Sequence, residues 1–159
     1  MAKQIEVTKT FNAPVELVWS VWTDPELVKR WWGPKQFTSP VAKIDFREGG
    51  RSLVSMKAPK EMGYQEYYSI WLYVKIIPLQ TIEFIQSLSD DEVNKIDPTK
   101  VGMPADFPRD IRTVVTFKKI STQVTEMTVT EYGEFGSISN FAQLGLEQSI
   151  DKMAVIFQK

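Results

Sequence analysis

Acid–base chemistry in this protein depends on carboxylates, lysines and tyrosines, because its 159 residues include no histidine and no cysteine. Asp45, Arg47 and Glu48 precede Gly49-Gly50 and could act as an acid–base or substrate-orienting set. A solvated strand end held by ion pairs uses the same residues and is the preferred interpretation. A serine nucleophile would have no histidine to activate it. We therefore predict no catalytic residue.

Metal and phosphate sites are also not expected. Residues 90–101 superficially follow a calcium-binding loop, but Lys95 stands where that loop needs Gly and Val101 where it needs Glu. The segment 133–136 has two glycines without the spacing or the strand-to-helix context of a phosphate loop. The commonest transition-metal ligands, histidine and cysteine, are absent. The sequence predicts no metal and no cofactor.

The composition is that of an ordinary globular domain, with 43% hydrophobic residues, 25% charged residues and a formal net charge of −1. We expect a single domain over residues 1–159. A net charge of −1 gives no indication of a basic surface that could bind nucleic acid. No apolar run approaches a membrane span, and the first residues lack the apolar segment of a signal peptide. These features predict a cytoplasmic protein with neither nucleic-acid nor membrane partners.

Residues 11–34 carry four of the five tryptophans and predict two short helices joined by a tight corner. Pro14 can occupy the first turn of the first helix. The second begins either with a Thr23/Glu26 capping box or with an Asp24 cap followed by Pro25. Gly33-Pro34 ends it. The apolar face of the first helix consists of Val15, Val18, Trp19 and Trp22, and that of the second of Leu27, Val28 and Trp31.

A strand over residues 5–11 precedes these helices, and a meander of about six strands follows them. The six are expected over residues 37–47, 51–57, 64–77, 81–88, 111–119 and 122–131. Residues 89–110 contain three prolines and six acidic residues and predict a long loop. From about Ile138, a helical stripe is formed by Ile138, Ala142, Leu146, Ile150, Met153 and Phe157. This order predicts an α+β domain with an antiparallel sheet covered on one face.

Nine short segments occur in a characteristic order along the chain: 11–14, 18–19, 23–26, 31–34, 45–50, 102–104, 107–108, 115–117 and 125–128. As an ordered set they resemble the START-like (SRPBCC) helix-grip superfamily, and within it the group named for the activator of the heat-shock-protein-90 ATPase. The resemblance covers nearly the whole chain. It implies a curved antiparallel sheet of about seven strands around a long C-terminal helix. Gly145-Leu146 departs from the usual Gly-Trp of relatives, and Ile70-Trp71 departs where relatives often have a Gly.

The resemblance implies a ligand cavity between the sheet and the long helix. Aromatic residues after the second helix would form its mouth, the last helix would bound it, and aromatic and methionine side chains would line it. A filled core would use the same side chains, and the pattern leaves open which face of the 64–73 strand points inward. The expected cavity residues are Trp31, Trp32, Phe37, Met56, Tyr68, Trp71, Phe84, Met103, Phe107, Met127, Phe141, Leu144, Gly145 and Gln148.

Three functions are compatible with this sequence. The preferred one is binding of a small hydrophobic or amphipathic molecule by a monomer or homodimer. The second, implied by the resemblance, is a chaperone-accessory module in the stress response that activates a heat-shock ATPase through the 89–110 loop and an exposed Trp31-Trp32 pair. The third is a cyclase- or hydrolase-like enzyme, which would need a buried carboxylate or tyrosine with a shifted pKa. A binding protein is favoured over an enzyme.

Overall fold

The computed structural model describes residues 3–158, apart from the side chain of Lys3. Seven strands and three α-helices account for most of the chain. Short 3-10 turns lie at Lys60–Met62, Pro98–Val101 and Gly136–Ile138. The main elements are β1 (Lys3–Phe11), α1 (Val15–Thr23), α2 (Pro25–Trp31), β2 (Ala42–Lys43), β3 (Arg51–Lys57), β4 (Glu66–Ile77), β5 (Thr81–Ser89), β6 (Ile111–Ser121), β7 (Val124–Gly133) and α3 (Ser139–Ile156).

The strands form one curved antiparallel sheet in the order β1-β7-β6-β5-β4-β3-β2. The meander from β2 to β7 pairs each strand with the next, and β1 joins β7 at the far edge. The three helices cover one face of this sheet. This arrangement confirms the predicted helix-grip fold. Among the described residues, no helix is long and apolar enough to cross a membrane.

The corner between α1 and α2 is fixed by Asp24. Its carboxylate accepts the backbone N–H of Glu26 at 2.9 Å, and Pro25 follows in the first turn. Of the two predicted helix starts, the Asp24 cap is therefore the one used. The Trp31 indole then donates to the Val21 carbonyl at 2.7 Å, which joins the two helices inside the core.

The strand predicted over residues 37–47 is wrong for most of its length. Only Ala42–Lys43 pair as a strand, and Thr38 forms an isolated bridge to Lys57. Two buried serines of β3 take over the hydrogen bonding, because the Ser55 hydroxyl accepts from Val41 N and the Ser52 hydroxyl accepts from Asp45 N. These side-chain acceptors replace part of the backbone ladder, while the Ser55 N–H still donates to the Val41 carbonyl at 2.9 Å, and the segment follows β3 without becoming a regular strand.

The core lies between the covered face of the sheet and the helices. Leu146, Ile150 and Met153 of α3 are buried against it, as the predicted stripe requires. The start of α3 at Ser139 agrees with the predicted start near Ile138. At the C-terminal end of α3, the Phe157 ring meets the ring of Phe11 edge-on at 5.0 Å.

Candidate ligand-binding site

A carboxyl group lies on the sheet face that packs against the helices. Side chains alternate between the two faces along a strand, and Glu131 follows the buried Val129 on the core side of β7. Its cross-strand partners Ile5 and Thr113 are both buried. Glu131 is therefore a titratable side chain between uncharged cross-strand neighbours.

Gln86 of β5 accompanies Glu131 on this face. It pairs across the sheet with Trp71 on β4 and with Ile111 on β6, which are both buried in the core. Its side-chain Nε2 donates to Glu131 Oε2 over 3.2 Å. This bond leaves the amide oxygen of Gln86 as an acceptor. We call Gln86 and Glu131 the concave polar pair.

Burial determines the protonation of Glu131. It raises the pKa of this carboxyl from its ordinary value of 4.5 to about 7, although the hydrogen bond from Gln86 acts in the opposite direction. The side chain keeps partial solvent access. Within the described part of the chain, no lysine or arginine forms an ion pair with it. Glu131 is therefore about half-ionised at neutral pH, without a counter-ion.

A cluster of aromatic rings adjoins the concave polar pair. Trp71 lies 5.0 Å from Phe84 and 5.1 Å from Trp32, measured between ring centroids. Trp22 and Trp31 extend the cluster toward α1 and α2, with their own centroids 4.6 Å apart. Edge-to-face and tilted contacts of this kind stabilise beyond the area they bury. These five rings form a rigid aromatic wall beside Gln86.

Two indole N–H groups in this wall have no hydrogen-bond partner. The indole of Trp22 donates to the Met127 sulfur, and that of Trp31 to a backbone carbonyl. The corresponding nitrogens of Trp32 and Trp71 have no hydrogen-bond partner among the described residues. Both residues are buried, with 8% and 0% of their surface exposed. An unpaired buried donor is costly and is uncommon in folded proteins. The aromatic wall thus has hydrogen-bonding capacity that the protein itself does not use.

Helix α3 closes over one side of this region through the 34–37 loop. The Gln148 side chain accepts the backbone N–H of Lys35 at 3.1 Å. Lys152 Nζ donates to the carbonyls of Pro34 and Phe37 at 3.3 and 3.1 Å. The loop reaches β3 as well, since a Cβ added to Gly33 would lie 3.2 Å from Met56 Cβ. The 34–37 loop therefore connects α3 to the sheet.

The N-terminal part of α3 exposes apolar side chains. Phe141 is 77% exposed and Leu144 is 51% exposed. The preceding turn is held by the Asp106 carboxylate, which accepts the N–H and the hydroxyl of Ser137 at 3.0 and 3.1 Å. Asp106 belongs to the 89–110 loop, so this loop is attached directly to the start of α3.

The predicted cavity residues occupy three environments. The core contains Trp31, Trp32, Trp71, Phe84 and Met127, with Met56 packed against it. The junction of α3 with the 34–37 loop contains Phe37, Gly145 and Gln148. Met103 and Phe107 are half-buried in the 89–110 loop, while Phe141 and Leu144 are exposed on α3.

Tyr68 lies apart from the other predicted residues. It pairs with Ser55 and Ser89, whereas Trp71 is three positions further along β4 and therefore on the other face. The core burial of Trp71 and Tyr73 shows which face points inward, and Tyr68 cannot line the same cavity as Trp71. The expectation that Trp31-Trp32 is an exposed contact surface is also wrong, because both rings are buried in the core.

Gln86 and Glu131 were missed by the sequence analysis. Glu131 ends a predicted strand, where a charged residue is normally solvated. The alternation of Thr125, Met127 and Val129 on the buried face of β7 would have placed Glu131 on that face too. A charge in phase with an apolar row was the signal available in the sequence.

The other candidate groups form ion pairs and hydrogen bonds that stabilise turns and strand ends. Asp45 and Arg47 form an exposed ion pair at 3.0 Å, and the Glu48 carboxylate accepts the backbone N–H of Ile76. Asp90 accepts three hydrogen bonds from residues 92 and 94, which lower its pKa. Across residues 3–158, no group of three or more acidic side chains is arranged to hold a metal ion.

Two open grooves lie outside this region. One, of about 350 Å³, runs between β1 and α3 and is lined by Glu6, Lys9, Glu147 and Asp151 among others. The second, of about 230 Å³, lies between α2 and α3 beside Arg30 and Lys152. Lys9 and Asp151 pair at 3.1 Å within the first groove. Neither groove is lined by the predicted cavity residues.

A curved seven-stranded sheet, two short helices after its first strand and a long last helix define a helix-grip protein. Residues 12–158 match the family described as Activator of Hsp90 ATPase homolog 1-like protein. The chain belongs to this family. No curated protein matches the sequence.

Solved structures share the fold. A crystal structure from Chromobacterium violaceum has a TM-score of 0.77 at 21% identity, covering 98% of this chain and 97% of that chain. The AHSA1 protein from Silicibacter pomeroyi has a TM-score of 0.73 at 16% identity, covering 97% and 96%. An AHSA1-like protein from Aeromonas hydrophila, solved by NMR, has a TM-score of 0.71 at 17% identity, covering 96% and 90%. At these identities the likeness establishes the fold alone.

Proposed function

We propose that this protein binds a small, mostly apolar molecule with a polar head group on the concave face of its sheet. The observation that carries this proposal is the concave polar pair. Gln86 and Glu131 sit among apolar and neutral cross-strand neighbours, and the carboxylate has no ionic partner in the described structure. Titratable groups with such shifted pKa values concentrate at functional sites.

Neighbouring residues provide the remainder of a binding site. Small-molecule sites are mainly apolar with a few convergent polar groups. The rings of Trp71 and Phe84 are buried behind Gln86, and a ligand that separates the rings would find donors in the unpaired indole N–H groups of Trp32 and Trp71. The 34–37 loop and α3 cover one side, with Phe141 exposed at the helix start.

Native mass spectrometry of the purified protein, before and after organic extraction, tests this proposal. We expect a co-purifying small molecule, or saturable thermal stabilisation by added amphiphiles. Glu131→Gln should weaken the binding. Glu126→Gln is the matched control, because Glu126 pairs with Thr10 and Lys118 on the other face of β7. An unchanged mass together with no stabilisation by any amphiphile would contradict the proposal.

A catalytic role has one observation in its favour. Glu131 is the partly buried carboxylate of raised pKa that an enzyme of this fold would need, and a pKa of about 7 suits general acid–base catalysis. Its hydrogen-bond partner among the described residues is the amide of Gln86, which is neither a nucleophile nor a second titratable group. A single carboxyl group beside an amide is better suited to binding a ligand than to catalysing a reaction. Substrate-dependent product formation lost in Glu131→Gln but kept in Glu126→Gln would reverse this ranking.

The chaperone-accessory function rests on the family description. Its contact surface would be the 89–110 loop with Phe141 and Leu144, which are exposed, in place of the buried tryptophans. Addition of this protein at micromolar concentration to a heat-shock-protein-90 ATPase tests this alternative. A rate increase that Phe141→Ser abolishes would support it, and an unchanged rate would count against it.

A further inference from the structure

On the basis of the proposed function, we infer that the head group recognised at the concave site is a protonated amine. The Glu131 carboxylate would supply the opposite charge and the Gln86 amide oxygen a second acceptor. The buried rings of Trp71 and Phe84 would lie behind the Gln86 side chain. The ligand class is an alkyl- or arylammonium ion with an apolar body.

The first argument is the missing counter-ion. Buried carboxylates in proteins are normally paired with a cation or bound to a metal. Glu131 has one polar contact in the described structure, the 3.2 Å hydrogen bond from Gln86, and the effect of its burial on the pKa exceeds the effect of that bond. A cationic ligand would neutralise the buried carboxylate of Glu131, whereas an anionic ligand would place a second negative charge beside it.

The second argument is that the cations on the surrounding elements are engaged elsewhere. On β1, Lys9 shares the face of Glu131 but pairs with Asp151 of α3 at 3.1 Å. On α3, Lys152 donates to two carbonyls of the 34–37 loop. On β6, Arg112 lies on the opposite face, where it pairs with Glu83 of β5 at 3.0 Å.

Tyr73, which shares this face of the sheet, is neutral at physiological pH. Tyr73 of β4 exchanges a 2.8 Å hydrogen bond with the Ser52 hydroxyl, and burial raises its pKa to about 12. It therefore adds no charge at physiological pH. Among the groups that the structure describes around Glu131, no cation neutralises the carboxylate, and a cationic ligand would do so.

The third argument is the aromatic wall. Trp71 pairs directly with Gln86 across the sheet, and its ring lies 5.0 Å from that of Phe84. Aromatic faces attract ammonium groups, and the attraction is larger where water is excluded. Trp71 and Phe84 are buried directly behind Gln86, so a carboxylate backed by electron-rich rings favours an amine over an alcohol of equal length. The unpaired indole N–H groups would remain available to acceptors elsewhere on the ligand.

Octylamine, 1-octanol and sodium octanoate test the inference because they differ in the head group and share the apolar chain. Calorimetric titrations of the wild-type protein at pH 8 should give the tightest binding for octylammonium. Its affinity should fall on the order of tenfold or more at pH 5.5, because only the ionised fraction of Glu131 is competent to bind it. Binding of 1-octanol should be independent of pH over this range.

Two variants complete the test. Glu131→Gln should remove the preference for octylammonium and its pH dependence, and Glu126→Gln should keep both. Octanol or octanoate binding to the wild type as tightly as octylammonium would overturn the inference while leaving the proposed function intact. Failure of all three compounds to bind would contradict the proposed function itself. The comparison of head groups uses the wild type alone, so it stands even if a variant fails to fold.

Discussion

A carboxyl group on the packed face of a sheet links the stability of the protein to pH. In the unfolded chain Glu131 ionises near its ordinary pKa of 4.5, and in the folded protein near 7. Below pH 4.5 both states keep the proton, so the group contributes nothing. Between these values the folded state holds the proton and the unfolded state has lost it, so stability falls as pH rises. Above pH 7 the full penalty is present.

Glu131→Gln should therefore stabilise the protein at high pH and leave it nearly unchanged at low pH. The expected gain at pH 8 is about 2–3 kcal/mol in the free energy of unfolding, since each pKa unit corresponds to about 1.4 kcal/mol. This corresponds to a rise of roughly 5–10 °C in the melting temperature. The gain should vanish near pH 4.5. Thermal unfolding followed by circular dichroism between pH 4.5 and 8 measures it.

Glu126→Gln on the opposite face of β7 provides the control and should show no such trend. The four aspartates with lowered pKa values, Asp90, Asp97, Asp106 and Asp110, stay ionised above pH 5. In the window from pH 5 to 8 these four carboxyl groups keep their charge, whereas Glu131 titrates. A constant difference between wild type and Glu131→Gln across this window would show that burial does not shift the pKa.

Helix α2 depends on a single side chain for its start. The Asp24 carboxylate accepts the N–H of Glu26, while the structure shows no hydrogen bond from the Thr23 side chain. Asp24→Ala should lower the free energy of unfolding by about 1 kcal/mol, because the helix loses its N-cap. Urea denaturation monitored by tryptophan fluorescence measures the loss.

Thr23→Ala tests the alternative helix start. If the capping box were used, this variant would lose as much stability as Asp24→Ala. The structure predicts a change within about 0.5 kcal/mol, as for a substitution that removes no specific interaction. A larger effect of Thr23→Ala than of Asp24→Ala would contradict the observed cap.

Two glycines should respond in opposite ways to an added methyl group. At Gly145 in α3 a Cβ would lie 3.7 Å from Pro34 Cγ, which is an ordinary contact. Gly145→Ala should stabilise the protein by about 0.5–1 kcal/mol through helix propensity. At Gly50 a Cβ would collide with the backbone oxygen of Asp45. Gly50→Ala should destabilise by about 1–3 kcal/mol, as overpacking does.

Differential scanning calorimetry of both variants checks this pair of predictions. A destabilised Gly145→Ala would mean that the glycine is required for closer packing against the 34–37 loop than the structure shows. A neutral Gly50→Ala would mean that the turn relaxes around the added methyl group. The sequence analysis placed Gly145 among the expected cavity residues, and the 3.7 Å separation from Pro34 Cγ shows room for one more carbon atom.

Elements with regular periodicity could be predicted from the sequence, and elements held by side chains could not. The stripe containing Leu146, Ile150 and Met153 located α3 because its apolar spacing matches a helix. Residues 37–47 alternate less clearly, and their hydrogen bonds go to the hydroxyls of Ser52 and Ser55. No local sequence pattern predicts that the hydroxyl of a serine in the neighbouring strand will accept a backbone N–H.

The candidate site required the three-dimensional arrangement. Aromatic residues such as Trp71 and Phe84 were predicted to line a cavity, but their types do not separate a ligand wall from a filled core. Gln86 and Glu131 are 45 positions apart, and only the sheet order β5-β6-β7 brings them within 3.2 Å. A pairing of this kind follows from strand register, which sequence alone did not determine.

At the scale of the whole molecule, Lys152 connects the last helix to the first half of the chain. Its ammonium group donates to the carbonyls of Pro34 and Phe37, and burial lowers its pKa. Lys152→Met keeps much of the apolar stem and removes both hydrogen bonds. We expect a loss of about 1–3 kcal/mol, the usual value of hydrogen bonds to a charged group.

Hydrogen exchange gives the local readout for this variant. The amides of Phe37 and Thr38 donate to Pro34 and Lys57 and should exchange on the order of tenfold faster in Lys152→Met. Lys118→Met, at an exposed position of β6, is the control and should leave the exchange rates of these amides unchanged. Equal exchange in the two variants would show that the 34–37 loop is held without Lys152.

The pairing of β1 with β7 has a consequence for synthesis on the ribosome. Phe11 finds its partner at Thr125 and Lys3 at Gly133, so the first strand has no neighbour in the sheet until more than a hundred further residues have been made. At translation rates of roughly 5–20 residues per second, this delay lasts roughly 5–25 s. During that time β1 carries Ile5 and Phe11, both buried in the finished protein, without cover. The nascent chain therefore presents a solitary strand to the quality-control machinery of the cell until β7 emerges.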